Sequence, residues 1–143
     1  MPHIFRHTLL LLMVVLTACQ SSTPQQSEAR QKDEAKAVTI LAKARTALYQ
    51  KRYNDAKKYL RSLRSTCPLA LNGRENGILL MDSIEIASTA DRLRVADSLV
   101  QDEMQHRGSV NAQTQAHFDE LCQQAKFYHR KLQHDKDQRK NHD

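Results

Sequence analysis

Candidate carboxylate pairs such as Asp102-Glu103 and Asp119-Glu120 are sequence neighbours. On a helix such neighbours point in different directions, so neither pair can share a proton or grip one substrate. His129 and His134 lie five residues apart, which also divides them between two helix faces. Cys122 has His129 nearby, but no third or fourth ligand stands at metal spacing, and no metal is expected. Cys67 and Cys122 are candidates for a disulfide in an oxidising compartment; the other reading is two small buried hydrophobic residues. No Gly-rich phosphate loop, HExxH, GxSxG or CxxC pattern occurs in the sequence. The expectation is a protein that is not an enzyme and takes no cofactor.

The third cysteine, Cys19, has the most informative surroundings. Met1 to Thr8 carries one formal charge, Arg6, beside His3 and His7; Leu9 to Leu16 is unbroken apolar; Thr17 and Ala18 are small. An apolar run this short cannot cross a hydrocarbon core, which takes about 20 helical residues, and reads as an export signal. Leu16-Thr17-Ala18-Cys19 resembles the lipobox of bacterial lipoproteins. That resemblance implies a signal peptide over residues 1–18, cleavage before Cys19, and diacylglyceryl and palmitate chains on Cys19 as a membrane anchor. More than one such chain gives stable attachment. Gln20 stands where the inner-membrane retention signal is Asp, which favours the outer membrane, facing the periplasm of a Gram-negative cell.

Cleavage there removes Arg6 and lowers the formal net charge from +6 to +5. Residues 19–27 read as a flexible polar tether and residues 28–135 as a single domain. With no Trp, few glycines and prolines, and abundant Ala, Leu, Lys, Arg and Gln, the domain is expected to be all-α. A first helix is expected from about Glu28 to Gln50, capped by Ser27, with an apolar stripe of Val38, Leu41, Ala42, Ala44, Leu48 and Tyr49. After a turn at Lys51-Arg52, a second runs from about Asn54 to Thr66, with Ala56, Tyr59, Leu60 and Leu63 inward, and Pro68 closes it. So short a link makes the two antiparallel.

Residues 37–70 make up 34 positions, and Ala44, Tyr53-Asn54-Asp55-Ala56, Leu60, Leu63 and Pro68 fall where a tetratricopeptide (TPR) repeat has its signature residues. The stretch resembles one such repeat, in which small residues let two helices approach. Two positions depart from the pattern: Ala47 where a larger apolar residue is usual, and Lys51 where glycine is common. A second repeat from Leu71 fails because Arg94 and Asp97 occupy sites that should be apolar.

A long helical hairpin is expected instead, over residues 76–135. Its first arm, Ile78 to Met104, contains no Gly or Pro, and Leu79, Ile86, Leu93 and Val100 recur every seven residues. Ile78-Leu79-Leu80-Met81 is expected to be the deepest part of the core. Gly108 breaks the helix within residues 106–112. The return arm, Ala112 to Asp135, carries the seam Phe118, Leu121, Ala125, Tyr128 and Leu132, and residues 136–143 read as a disordered charged tail.

The overall expectation is an all-α protein: a TPR-like antiparallel helix pair followed by a long, coiled-coil-like antiparallel hairpin. On it, Lys126, Arg130 and Lys131 are candidates for contact with an anionic surface. Asp82-Ser83-Ile84 and Asp97-Ser98-Leu99 match the short sites at which some bacteria O-glycosylate exported proteins, although a helical setting argues against both. Export disfavours nucleic acid as partner. The expected partners are the membrane, through lipid on Cys19, and a protein of the cell envelope, for which the chain would act as an interaction or scaffold module. The alternative is a binder of anionic envelope lipid or polysaccharide, with an enzyme of unrecognised type last.

Overall fold

A computed structural model describes residues 27–141, and these contain four helices and no strand. They are α1 (Glu28–Tyr49), α2 (Tyr53–Thr66), α3 (Leu71–Arg107) and α4 (Ala112–Lys140). Helices α1 and α2 form one antiparallel hairpin, α3 and α4 a second, and the first lies against α3. No helix among the described residues is long and apolar enough to cross a membrane. The lipobox and Cys19 lie outside the described residues.

Helix α1 starts where Ser27 Oγ accepts from the Arg30 amide, at 3.3 Å. It ends in a Schellman motif: the Lys51 amide donates to the Leu48 carbonyl at 2.9 Å and the Arg52 amide to that of Ala47 at 2.8 Å. Lys51 takes φ 57°, the left-handed conformation that glycine enters without a Cβ penalty. The buried stripe is Ala37, Leu41, Ala44 and Ala47, rotated from the expected one: Val38 is exposed and Tyr49 is 90% exposed. Small side chains won because α1 is pressed closely between α2 and α3, and Ala47 is fully buried. From α2 come Ala56, Leu60 and Leu63, as expected.

Helix α3 begins a full two turns before the expected start, running straight through Gly73 and Gly77. At Gly73 the absence of a side chain is a packing requirement: a Cβ there would lie 2.5 Å from the Cβ of Ala37. Its N-terminus has no side-chain cap of its own. Helix α1 supplies one instead. Asp33 Oδ2 accepts from the Leu69 amide at 2.9 Å, and the two oxygens of Glu34 accept from the amides of Asn72 (3.0 Å) and Gly73 (2.9 Å). Two carboxylates thus answer the positive end of a 37-residue helix about 55 Å long.

Expectation and structure differ over Ile78 to Met81. Ile78 is 50% exposed and its three neighbours are half-buried, whereas the deepest large side chain nearby is Ile84, with Asp82 and Thr89 also buried. A helix apolar all round cannot bury every side, and here α1 and α2 cover one flank and α4 another. The α3–α4 turn is held by Gly108 at φ 70° and by Glu103, whose oxygens accept from the Asn111 amide (2.7 Å) and the Thr114 hydroxyl (3.0 Å). Leu121 is the buried centre of the seam. The tail is not disordered through its length: α4 continues to Lys140, and Arg139 donates to the Asn76 carboxamide at 2.7 Å. Lys51 and Tyr53 reach Asp91, so about 24 Å of α3 beyond that point projects past the first hairpin.

Candidate functional site

The three cations singled out on α4 have different fates. Lys126 and Arg130 are exposed, with no acidic partner among the described residues. Lys131 is not free to meet an external anion: its ammonium donates to Asp82 Oδ1 and to Asp135 Oδ2, each at 2.6 Å. Asp82 is only 2% exposed, and its Oδ2 has no donor. Burial pushes the Asp82 carboxyl above the usual carboxylate range against the pull of Lys131, and a hydrogen bond to Asp135 pushes it the same way. Asp135 is held below that range, chiefly by its bond from Lys131. For Lys131, burial disfavours the charge, but the two carboxylates outweigh it and raise its pKa. The cluster is a partly buried tie between α3 and α4, in which the Lys131 ammonium bridges the buried Asp82 carboxyl and Asp135.

Sequence reasoning missed this tie. Its signal was one acid directly after the apolar run Ile78 to Met81, on the side that α4 covers. At Asp82-Ser83-Ile84 the half-buried Ser83 donates its hydroxyl to the Leu79 carbonyl at 2.9 Å inside the helix. Ser98 does the same to Arg94 at 3.0 Å.

The disulfide is corrected as well. Cys67 and Cys122 are both free thiols, the first buried and the second half-buried. Cys67 ends α2 beside the start of α3, whereas Cys122 lies on α4 near the level of Arg92, as the Arg92–Gln124 hydrogen bond shows. About twenty residues of α3 separate those levels, roughly 30 Å, against the ~7 Å limit for bridged Cα atoms. The carboxylate pairs diverge as expected: Asp102 meets His106, Glu103 the α3–α4 turn, Asp119 meets Gln115 and Glu120 meets Gln124. No group of three or more metal-ligating side chains occurs among the described residues.

What the fold does assemble is surface. One groove of about 210 Å³ between α2, α3 and α4 has Leu60, Leu63, Ile78 and Met81 as its floor, with Arg64 and Arg74 beside them. A second, of about 450 Å³, shares Ile78 and is lined also by Leu71, Leu79, Arg30 and Arg139. A third, of about 340 Å³, opens where α2 begins against α3, between Tyr53, Asp91, Val95, Leu99 and His117. There Asp91 accepts from Tyr53 (2.7 Å) and Lys51 (3.1 Å), bonds that hold its carboxyl below the usual range. Burial and that same bond raise the Tyr53 phenol. Val95, Leu99 and Met104 continue from this step along the projecting hairpin as exposed apolar side chains.

Charge is divided along the molecule. Residues 27–89 and 127–141 carry 17 Lys and Arg against 9 Asp and Glu, while residues 90–126 carry 4 against 6. The body is therefore strongly basic and the projection mildly acidic. Comparison with protein-family models, with curated proteins and with solved structures finds no match to this chain.

Proposed function

We propose that the chain is a lipid-anchored, extracytoplasmic interaction module of the bacterial envelope, held by Cys19 and presenting its projecting helical hairpin to a protein partner. The observation that carries this reading is the uncovered step at the end of the first hairpin. Val95 and Leu99 are a turn apart on one face of α3, one and two turns beyond the Asp91 that Tyr53 of α2 reaches, and both are exposed. Exposed apolar side chains of this kind, rimmed by charge, are typical of protein-contact surfaces. The acidic balance of residues 90–126 favours a partner surface that is apolar and basic. Placement in the outer membrane, facing the periplasm, belongs to the same proposal and draws on the lipobox and Gln20.

A photoreactive residue in place of Leu99, in intact cells, should give one discrete adduct. The same residue in place of Lys43, exposed on α1, should not. Adding Val95→Lys to the Leu99 probe should abolish capture while leaving helicity intact. Equal labelling from both positions would count against a defined partner face. A chain that carries no lipid in cells would remove the anchor from the reading.

A further inference from the structure

We propose that the pole of the molecule where α1 begins is a docking surface for an anionic phospholipid bilayer, which holds the projecting hairpin away from the membrane. Four ends meet there: the starts of α1 and α3 and the finishes of α2 and α4. Lys36 donates to the Thr66 carbonyl at 3.4 Å, Asp33 holds Leu69, Glu34 holds Asn72 and Gly73, and Arg139 holds Asn76.

Leu69, at 47% exposure, and Leu71, at 49%, stand at this pole, with Ile78 (50%) two turns behind Leu71 on the same face of α3. The cations around them keep their charge uncompensated. Arg74 donates to the Pro68 carbonyl at 3.2 Å and Arg139 to a carboxamide, both neutral acceptors. Arg64, Lys136 and Lys140 have no carboxylate partner among the described residues. The acids of the pole are occupied: Asp33 and Glu34 bind backbone amides, Glu28 binds Lys32 at 2.7 Å and Asp137 binds Gln133; Glu75 alone is exposed and unpaired among the described residues. Apolar side chains set among free cations match an interface of acyl chains under phosphate headgroups.

Two further observations select the bilayer over a second copy of the chain. The body carries a net +8 while the projection carries −2, so two such poles repel, and an anionic surface turns the body toward itself. The chain also enters the fold here: Cys19 is nine residues before Glu28, a reach of at most about 30 Å. The proposal rests on the lipoprotein reading only for what keeps the pole near a membrane.

The chain has no Trp, so a single introduced Trp reports its own surroundings. The full chain, purified with its acyl groups and checked by mass, is reconstituted as Leu71→Trp or as Ser109→Trp at the far turn. Vesicles are either phosphatidylcholine doped with phosphatidylglycerol or phosphatidylcholine alone, each with brominated chains. Leu71→Trp should shift to the blue and be quenched on the anionic vesicles and not on the neutral ones, and Ser109→Trp on neither. Adding Arg74→Gln, Lys136→Gln and Lys140→Gln should reverse the quenching, each lost cation weakening docking about fivefold. Equal quenching on both vesicle types, no quenching of Leu71→Trp on either, or a blue shift that grows with protein concentration without vesicles would overturn the proposal. A mass lacking acyl groups would instead overturn the anchor, and the unacylated chain should still show charge-dependent quenching.

Discussion

Gly73 and Gly77 lie one turn apart on α3, both buried, yet replacing each with alanine should move stability in opposite directions. Alanine is favoured over glycine in a helix interior by about 1 kcal/mol, so that gain is common to both. At Gly77 the new methyl would meet Leu63 Cδ2 at 3.7 Å and Leu60 Cδ2 at 4.0 Å, ordinary contact distances. At Gly73 it would stand 2.5 Å from Ala37 Cβ and 3.3 Å from Ala70 Cβ and Glu34 Oε2. Ala37 is part of the α1 backbone stem and cannot rotate away, so the two helices must separate. Such overpacking costs about 1–3 kcal/mol, and it also loosens the Glu34 cap. Gly77→Ala should therefore gain about 1 kcal/mol, and Gly73→Ala should lose up to about 2 kcal/mol after the propensity gain is set against it. At roughly 4 °C per kcal/mol for a domain of this size, the two Tm values should differ by at least about 4 °C in thermal unfolding followed by far-UV circular dichroism. Adding Ala37→Gly to Gly73→Ala should recover stability beyond additivity, because it removes the clashing methyl. If Gly73→Ala is as stabilising as Gly77→Ala, the close approach of α1 and α3 is wrong.

Further consequences follow for other positions. Lys51→Gly should stabilise the chain by up to about 1 kcal/mol, since a non-glycine residue in the left-handed region costs about that much and the exposed ion pair with Asp91 contributes little; denaturant titration would show it as a raised midpoint with unchanged slope. Glu34→Gln replaces a charged acceptor at the start of α3 with a neutral one and should cost about 1 kcal/mol, measurable in the same titration, while Lys32→Gln at the exposed surface should cost nearly nothing. Asp82 has its folded pKa above the unfolded value of 3.8, so between those values the folded chain keeps a proton the unfolded chain has lost, and stability falls as pH rises. Asp135, with a lowered pKa, gives the opposite slope at more acidic pH. Asp82→Asn should abolish the falling limb in urea titrations run across that window; an unchanged pH profile would refute the assignment. Thiol counting on denatured, unreduced protein should find both Cys67 and Cys122 free.

Much of the fold was legible because its helix ends are written in local chemistry. Ser27, Gly108 and Pro68 each act within a few residues of where they stand, and α1, α2 and the α3–α4 turn fall where those residues place them. Periodicity also placed Leu60, Leu63 and Leu121 inward. It failed at α1, where two strips of the helix were both apolar enough to be core and only the neighbouring helices select Ala37 and Ala47 over Val38 and Tyr49. The expected first arm began at Ile78, after Gly73 and Gly77, whereas α3 runs through both, because a glycine's use as a site of helix contact depends on what lies opposite it. Of the three cations singled out for an anionic surface, Lys131 is paired with carboxylates for a similar reason. Nothing in the run around Lys131 reveals that Asp82, 49 residues earlier, would claim its charge. The cations of the pole, spread over α2, α3 and α4, meet only through the fold.

The cap that α1 lends to α3 also governs how the molecule opens. Asn72 and Gly73 lie inside the first turn of α3, where no carbonyl of their own helix can accept their amide hydrogens, and Glu34 is 38 and 39 residues away along the chain. Fraying of α3 alone would carry the amides off the carboxylate, and departure of α1 would strip the carboxylate off the amides. In either case the same two hydrogens become exchangeable. Their exchange with solvent deuterium therefore times the separation of the two hairpins, and any ligand that clamps the hairpins together should slow both amides equally.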